Sequence, residues 1–289
     1  MGLFSDMGRF GLGEYENTEV LEHEKHSAAV SKGNSQAEPV IDPIEREKEA
    51  LFDKHYTCPV CDLSFRAKSI RVGKVKLTGK DTDLRPVYDG IDPIKYDVIV
   101  CDKCGYSALT RYFGKLSTRQ MKEIYDNIGS HFHGIDNTVE MYTYDDAIAR
   151  YKLALLTAVV KKAKNSERAY TSMKLAWVLR GKRLTLKRGD AGMKELYLNE
   201  MECIKNAYEG FCEAISSELF PIAGMDENTL QYVMADMARR LRKYDEAIKL
   251  LGRVITSKDV SPRLKEQALT LKEMIKEELK KGNAAVSMV

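Results

Sequence analysis

The chain has 289 residues, of which 44% are hydrophobic and 31% charged, and its formal net charge is only +3. A chain of this length buries a sizeable core in one to three domains. The balance of charges excludes an overall basic signal for nucleic acid, and the longest apolar run, around Leu153 to Val160, is far shorter than the ~20 residues of a membrane helix.

Residues 1–50 form an acidic segment with five Lys or Arg against eleven Asp or Glu. Apolar residues are sparse after Phe10 and Leu12, so the composition predicts a largely disordered tail. We interpret the apolar group Leu3, Phe4, Phe10 and Leu12 as part of a loose terminus, with docking on the body or on a partner as the alternative. The cationic start and apolar run of an export signal are missing here, which favours a cytoplasmic protein.

Two Cys-x-x-Cys pairs carry the strongest signal, Cys58 with Cys61 and Cys101 with Cys104. Each pair folds into a tight turn, and two facing turns place four sulfurs in the tetrahedral geometry that Zn²⁺ prefers. In a reducing compartment such pairs indicate metal binding rather than structural disulfides. We predict one structural Zn²⁺ with these four ligands, which leaves no open coordination position and lowers the net charge to about +1.

The spacer between the pairs, residues 62–100, has 39 residues, roughly double the common ~15–20. It must therefore carry its own hairpin or loop. A redox dithiol pair and an iron–sulfur site are the alternatives to zinc, although the βαβ context of a thioredoxin-like motif is missing. Four carboxylates of the spacer are interpreted as turn residues, with a second metal site as the alternative: Asp81, Asp83, Asp89 and Asp92.

Other candidate ligands are weaker. His55 precedes the first pair and is a possible replacement ligand, whereas His131 and His133 flank a Gly-bounded turn and are interpreted as a solvated pair. Cys203 and Cys212 are nine residues apart on one helical segment, so they face opposite sides and cannot share a metal there. We interpret both as buried structural thiols.

Residues 51–116 are predicted to form the metal domain. Phe65–Leu77 alternates apolar and basic residues, which predicts a strand with a bulge at Gly73. A second short strand, Tyr96–Val100, runs directly into Cys101. Strand, thiol turn and strand together are the anatomy of a zinc ribbon.

From Ser117 onward the pattern is helical, with a capping box at Ser117–Gln120 and a cap at Thr143–Asp146 that begins a second helix. The later helices are predicted at about 166–184, 191–218, 227–241, 244–256 and 262–280. The pattern that starts with Tyr144 and Ala147 recurs 100 residues later at Tyr244 and Ala247, about three ~34-residue tetratricopeptide periods.

Phe211 with Ala214 is a weak middle copy of the same pattern. This repetition predicts a degenerate tetratricopeptide-like helical array over residues 117–285. An ordinary helical bundle is the alternative.

Several of these features together resemble the bacterial family of unknown function DUF2225, over about residues 45–285. The resemblance rests on the thiol pairs and on Lys80-Asp81-Thr82-Asp83, Asp92-Pro93 and Gly105-Tyr106-Ser107-Ala108. It implies a zinc-ribbon-like head on a helical repeat body, with Cys58, Cys61, Cys101 and Cys104 as metal ligands, and it implies no activity. The predicted fold class is therefore mainly α with a small β zinc-ribbon-like domain and a C-terminal tetratricopeptide-like array.

Three functions are compatible with these features. The first is a non-enzymatic adaptor whose helical array binds a protein or peptide in its groove. The second is a nucleic-acid-binding zinc-ribbon protein, which would use the basic runs at 66–80, 174–188 and 239–243. The third is a thiol-based redox or zinc-release sensor. The sequence contains no phosphate loop, nucleophile elbow or His-Glu metal helix, which favours a non-enzymatic role.

Overall fold

A computed structural model describes residues 7–11, 13, 42–114 and 116–286. Helices make up 56% of the structure, and the β structure of the described residues consists only of small antiparallel strand pairs. The predicted class, mainly α with a small β region that contains the cysteine cluster, is confirmed. Within the described ranges no helix has both the length and the apolar character needed to span a bilayer.

The acidic tail is only partly described. The prediction of disorder over residues 1–50 falls mostly on residues outside the described set, and so do Leu3, Phe4 and Leu12 of the apolar group. A short 3-10 turn, Met7–Phe10, is the main described part of its first half.

Helix α1, Pro43–Glu49, occupies the last part of the segment predicted as a tail. It forms because the side chain of Asp42 accepts a hydrogen bond from the Ile44 N–H at 2.9 Å and Pro43 starts the first turn. Helix α1 thus directly precedes residue 51, and the boundary of the metal domain there stays a prediction.

The head contains three antiparallel hairpins, each a separate two-stranded sheet among the described residues. The two thiol pairs lie in the turns of the first and third hairpins, and the second hairpin belongs to the spacer. The strands are β1 (Leu51–Thr57) with β2 (Ser64–Ile70), β3 (Leu77–Lys80) with β4 (Pro86–Tyr88), and β5 (Val98–Val100) with β6 (Ser107–Leu109).

The predicted strand over Phe65–Leu77 is wrong in its length. Strand β2 ends at Ile70, and Gly73 has a φ of +81°, a left-handed conformation that ends an extended chain. Gly73 therefore lies in a turn between β2 and β3 and not in a bulge. The second predicted strand is also shorter, because Tyr96 ends a 3-10 turn and β5 starts at Val98.

The described part of the body contains seven helices. The predicted capping box at Ser117 and the predicted cap at Thr143 are confirmed, since the Ser117 hydroxyl accepts from the Gln120 N–H and the Thr143 hydroxyl from the Asp146 N–H. The helices are α2 (Thr118–Ile124, continued by a π-helical turn), α3 (Tyr144–Val160), α4 (Asn165–Thr185), α5 (Met193–Ser217), α6 (Glu227–Arg240), α7 (Tyr244–Thr256) and α8 (Pro262–Val286).

Helix α3 joins the head to the body. It packs against β5 and β6 on one side and against α4 on the other. All its residues from Ala147 to Ala158 are buried, as expected of a helix with protein on every side. The Tyr151 hydroxyl donates to the Ile94 carbonyl at 2.9 Å, and one apolar core continues from the thiol turns to α8.

The repeated sequence pattern occupies equivalent places in two helices. Tyr144 and Tyr244 begin α3 and α7, and Ala147 and Ala247 are both fully buried in the first turn that follows. The middle copy differs, because Phe211 lies in the last turns of α5 instead of at a helix start. A repeat of tetratricopeptide type therefore stays a prediction.

Two helical glycines give a matched test of the packing. A Cβ at Gly181 of α4 would lie 2.6 Å from the Tyr144 ring, whose hydroxyl is held by Asp92 at 3.0 Å, whereas a Cβ at Gly252 of α7 would meet nothing within 4 Å. We expect Gly252→Ala to stabilise the fold by up to ~1 kcal/mol through helix propensity. We expect Gly181→Ala to destabilise it by about 1–3 kcal/mol through overpacking.

Urea unfolding of the two variants measures this difference directly. Equal stabilisation by both alanines would contradict the close approach of α4 to Tyr144.

Candidate metal centre

The first thiol turn follows β1 and is closed by two backbone hydrogen bonds. The Cys58 N–H donates to the Leu63 carbonyl at 2.9 Å, and the Asp62 N–H donates to the Cys58 carbonyl at 2.9 Å. Asp62 has a φ of +57°, which turns the chain back towards β2. Cys58 and Cys61 thereby project from the same turn.

The second thiol turn repeats the hydrogen-bond pattern of the first. The Cys101 N–H donates to the Tyr106 carbonyl at 2.9 Å, and the Gly105 N–H donates to the Cys101 carbonyl at 3.0 Å. Gly105 takes the place of Asp62, with a φ of +67°. A Cβ there would lie 2.6 Å from the ring of Phe132, so both the conformation and the packing require glycine.

The four sulfurs meet between the two turns. All four Sγ atoms lie within 4.8 Å of one another. The Sγ atoms of Cys58 and Cys104 are 3.5 Å apart, and those of Cys61 and Cys101 are 3.7 Å apart. Tetrahedral coordination with bonds of about 2.3 Å separates sulfurs by about 3.8 Å. The arrangement is consistent with binding of one metal ion, as the sequence predicts.

The thiols of the cluster shift one another's pKa values in opposite directions. Hydrogen bonds with Cys104 and Cys58 lower the pKa of the Cys101 thiol, while hydrogen bonding with Cys101 raises the pKa of Cys58 and of Cys104. One thiolate is thus stabilised by neighbours that keep their protons, because thiolates this close repel. A bound divalent cation would offset the repulsion between neighbouring thiolates, because it stabilises every thiolate that coordinates it.

The remaining candidate ligands lie elsewhere. His55 is exposed on β1, His131 and His133 are exposed, and in the described residues only the four cysteines form a cluster with metal-ligand spacing. Cys203 is buried as predicted, but Cys212 is exposed, so the prediction that both are buried is wrong. Their opposite helix faces explain this result, because α5 buries one face only.

The spacer carboxylates contact arginine side chains. Asp81 and Asp92 contact the guanidinium of Arg85 at 3.4 and 3.1 Å, and Asp89 contacts that of Arg46 at 3.2 Å. Asp81 also closes the turn of the second hairpin, because its N–H donates to the Arg85 carbonyl at 2.8 Å. The turn interpretation therefore holds for this residue, and its carboxylate has a further role in the body.

Arg180 of α4 receives this turn in a buried site. Its Nη1 lies 2.9 Å from Asp81 Oδ2, its Nη2 lies 2.6 Å from Asp83 Oδ2, and its Nε lies 2.7 Å from Glu200 Oε1 on α5. Trp177 Nε1 donates to Asp83 Oδ2 at 3.0 Å. Arg180, Asp83 and Glu200 are each less than 5% exposed. The spacer between the two thiol pairs is thus anchored among the helices of the body.

Helix α6 completes the anchor. The guanidinium groups of Arg239 and Arg240 donate to the hydroxyl of Thr82 at 3.5 and 3.1 Å. Both arginines are held by Asp236, which is fully buried, at 2.8 and 2.5 Å. Asp81, Thr82 and Asp83 together with the arginines of α4 and α6 are called the arginine anchor below.

The charges of the arginine anchor stabilise one another. Burial alone would raise the pKa of Asp83, but the positive charges of Arg180 and Arg240 outweigh it and hold that pKa well below its usual range. Burial would lower the pKa of Arg180, and the charges of Asp83 and Glu200 raise it instead. These groups therefore remain ionised at neutral pH and form ion pairs.

Removal of one partner tests the energetics of this anchor. Arg180→Met leaves Asp83 and Glu200 buried with unbalanced charge, and we expect it to destabilise the fold by about 3–5 kcal/mol. Lys182→Met, on the same helix, removes a surface pair with the 69% exposed side chain of Asp145 and is expected to change stability by less than ~1 kcal/mol. Urea unfolding compares them, and an equally small effect of both changes would contradict a buried anchor.

Comparisons with known proteins place the chain in a family. The family model described as "Uncharacterized protein conserved in bacteria (DUF2225)" matches residues 51–280, which include both thiol turns, the spacer and most of the helical body. Neither the curated proteins nor the solved structures yield a match. Since the matched region covers most of the 289 residues, the chain belongs to the bacterial DUF2225 family.

Proposed function

We propose that Cys58, Cys61, Cys101 and Cys104 bind one Zn²⁺ with a structural role. The spacing of the four sulfurs, all within 4.8 Å, supports this proposal. All of them except Cys61 are buried, and four sulfurs complete a tetrahedral shell. The ion would therefore offer no position to a water molecule or a substrate.

The reason for a metal here is the small size of the head's sheets. Each hairpin has strands of only three to seven residues, and isolated two-stranded hairpins are marginally stable at best. An ion bound to both thiol turns would link the first and third hairpins and supply folding free energy to the head.

The zinc proposal predicts one zinc atom per chain by elemental analysis of purified protein. Cys101→Ser removes a buried ligand and is expected to lose the metal and lower the thermal midpoint, because the remaining sulfurs no longer complete the tetrahedron. Cys212→Ser, at the exposed thiol of α5, is the matched control. It should keep the metal and the wild-type thermal midpoint. A full zinc content in the Cys101 variant would exclude this ligand set.

We infer further that the protein is a non-enzymatic interaction protein whose helical body binds another protein. The observation that supports this proposal is an open groove of about 550 Å³ at one end of the helical array. Its walls are the α3–α4 connection, Ala163–Asn165, and the end of α5, Ser217–Leu219. The face of α4 and α6 that carries Arg180 and Arg240 is filled by the spacer, so this end groove is the better candidate.

The lining of the end groove is mostly polar, and two exposed apolar side chains lie beside it. Leu219 is 93% exposed and the adjacent Phe220 is 38% exposed. The Ser166 N–H donates to the Glu218 carboxylate at 2.9 Å, and the Ser166 hydroxyl donates to the same carboxylate at 2.5 Å. Clustered exposed apolar side chains beside a groove fit a protein partner that contributes apolar side chains.

The spacing of the last helices supports a tetratricopeptide-like unit in this body. Helix α6 begins at Glu227 and α8 at Pro262, 35 residues later, which is close to the ~34-residue period of that repeat. We propose α6 and α7 as one such unit, within a body of residues 117–285 that carries the metal head of residues 51–116. A cytoplasmic location remains part of this proposal.

The adaptor proposal predicts that Leu219→Asp weakens partner binding. The immobilised wild-type chain would capture a partner from cell lysate, and mass spectrometry would identify it. The purified partner would then be titrated against the wild-type chain and the variants by calorimetry. Burial of an introduced carboxylate in the interface is expected to weaken binding at least tenfold. Leu269→Asp on α8, where the leucine is 47% exposed, should bind like wild type. Equal affinities of the two variants would contradict an interface at the end groove.

A further inference from the structure

We propose that residues 71–80, called the basic arm below, bind the phosphate backbone of nucleic acid. The basic arm consists of the turn after β2 and strand β3. This inference concerns a surface separate from the end groove and does not depend on the adaptor proposal.

The basic arm is the most exposed part of the head's spacer. Every residue from 71 to 80 except Val75 is exposed, and Val72 at the tip is fully exposed. Lys74, Lys76 and Lys80 make no side-chain hydrogen bond or ion pair with any described residue. Three free ammonium groups therefore extend into solvent along one short segment.

Three carboxylates of the segments that adjoin the basic arm are paired with other cations. Asp53 binds Lys68 at 2.7 Å, and Asp89 binds Arg46 at 3.2 Å. Asp81, which directly follows the arm, binds Arg180. None of these three carboxylates therefore pairs with a lysine of the arm.

The other two basic runs of the sequence differ from the arm in this respect. Most of their cations form ion pairs inside the protein, which removes them as a general polyanion surface. The pairs are Lys174 with Asp97, Arg180 with Asp81, Asp83 and Glu200, Lys182 with Asp145, Arg183 with Glu200, Arg239 and Arg240 with Asp236, and Lys243 with Glu246.

The root of the basic arm is fixed. The arm ends at Asp81, whose carboxylate is held by Arg180 at 2.9 Å and whose N–H is bonded to Arg85. Strand β3 of the arm pairs with β4, and a two-stranded ribbon can enter the major groove of duplex DNA. Lysine binds phosphate as a point charge. The hairpin therefore presents its lysines from a rigid base, which lowers the entropy lost on binding.

Other anionic partners fit the basic arm less well. Its exposed apolar side chains are two aliphatic groups, Val72 at the tip and Leu77 on β3, whereas binding at a membrane interface needs a broad apolar face with aromatic groups. An acidic protein would need anchors that fill pockets, because isolated surface ion pairs contribute ~0–1 kcal/mol each. Nucleic acid needs only repeated phosphate contacts, since counterion release supplies the free energy.

Fluorescence anisotropy of the full-length protein tests the proposal with a labelled 25-base-pair DNA duplex and a labelled single-stranded RNA. Three phosphate contacts predict that affinity for the duplex falls about 40-fold between 50 and 200 mM salt. Lys74→Glu, Lys76→Glu and Lys80→Glu combined should lower affinity at least tenfold and flatten this salt dependence.

The matched control carries the same change of charge at three exposed lysines of α7, the α7–α8 connection and α8, Lys249→Glu, Lys258→Glu and Lys265→Glu. It should bind within about threefold of wild type, because only the arm contacts phosphate. Lysine-to-glutamine changes at the same three positions of the arm add no negative charge. They should also weaken binding, as the glutamate changes do. Equal losses in arm and control variants would overturn the proposal. So would absence of binding to both probes, or binding to anionic lipid vesicles alone.

Discussion

The convergence of four sulfur atoms from two distant turns is the constraint on which the head depends. It brings the ends of residues 62–100 to one point, so that the spacer becomes a closed loop. Closing a loop of this length costs conformational entropy, which the proposed metal ion offsets. Because both ends are held, the turn at Asp81–Arg85 reaches a limited region of the body, and in that region it meets Arg180.

The arginine anchor has a different role from the metal. Buried charges lose hydration, so a satisfied ion-pair network adds less net stability than its short distances suggest. Its geometry is selective, however, because the guanidinium of Arg180 bonds Asp81, Asp83 and Glu200 at once. A displaced head would leave Asp83 buried without a partner. We infer that the network specifies one position of the head on the helices, while the metal stabilises the head itself.

Local features of this fold follow from the sequence, and long-range ones do not. The sequence predicts the helix caps at Ser117 and Thr143 and the two thiol turns, because each depends on residues only a few positions apart. The pairing of Arg180 with Asp83 spans 97 residues and leaves no local pattern. The carboxylates of the spacer were therefore open to the interpretation of a second metal site.

One sequence signal did point to the anchor. Asp236 is a lone acid in the apolar run Met234-Ala235-Asp236-Met237-Ala238, and a buried carboxylate requires a partner. The length of β2 was harder to predict, because its alternation of apolar and basic residues continues through the turn at Gly73 into the basic arm. There the same pattern that indicates a half-buried strand belongs to an exposed segment.

If the thiol turns and the anchored spacer form one cooperative unit, removal of the metal must loosen both. Hydrogen exchange followed by mass spectrometry, on the full-length protein before and after chelation, measures this coupling segment by segment. We expect faster exchange at Cys58–Leu63, at Cys101–Tyr106 and also at Asp81–Arg85, with no change in α7. Faster exchange confined to the two thiol turns, with Asp81–Arg85 as protected as before, would contradict the account.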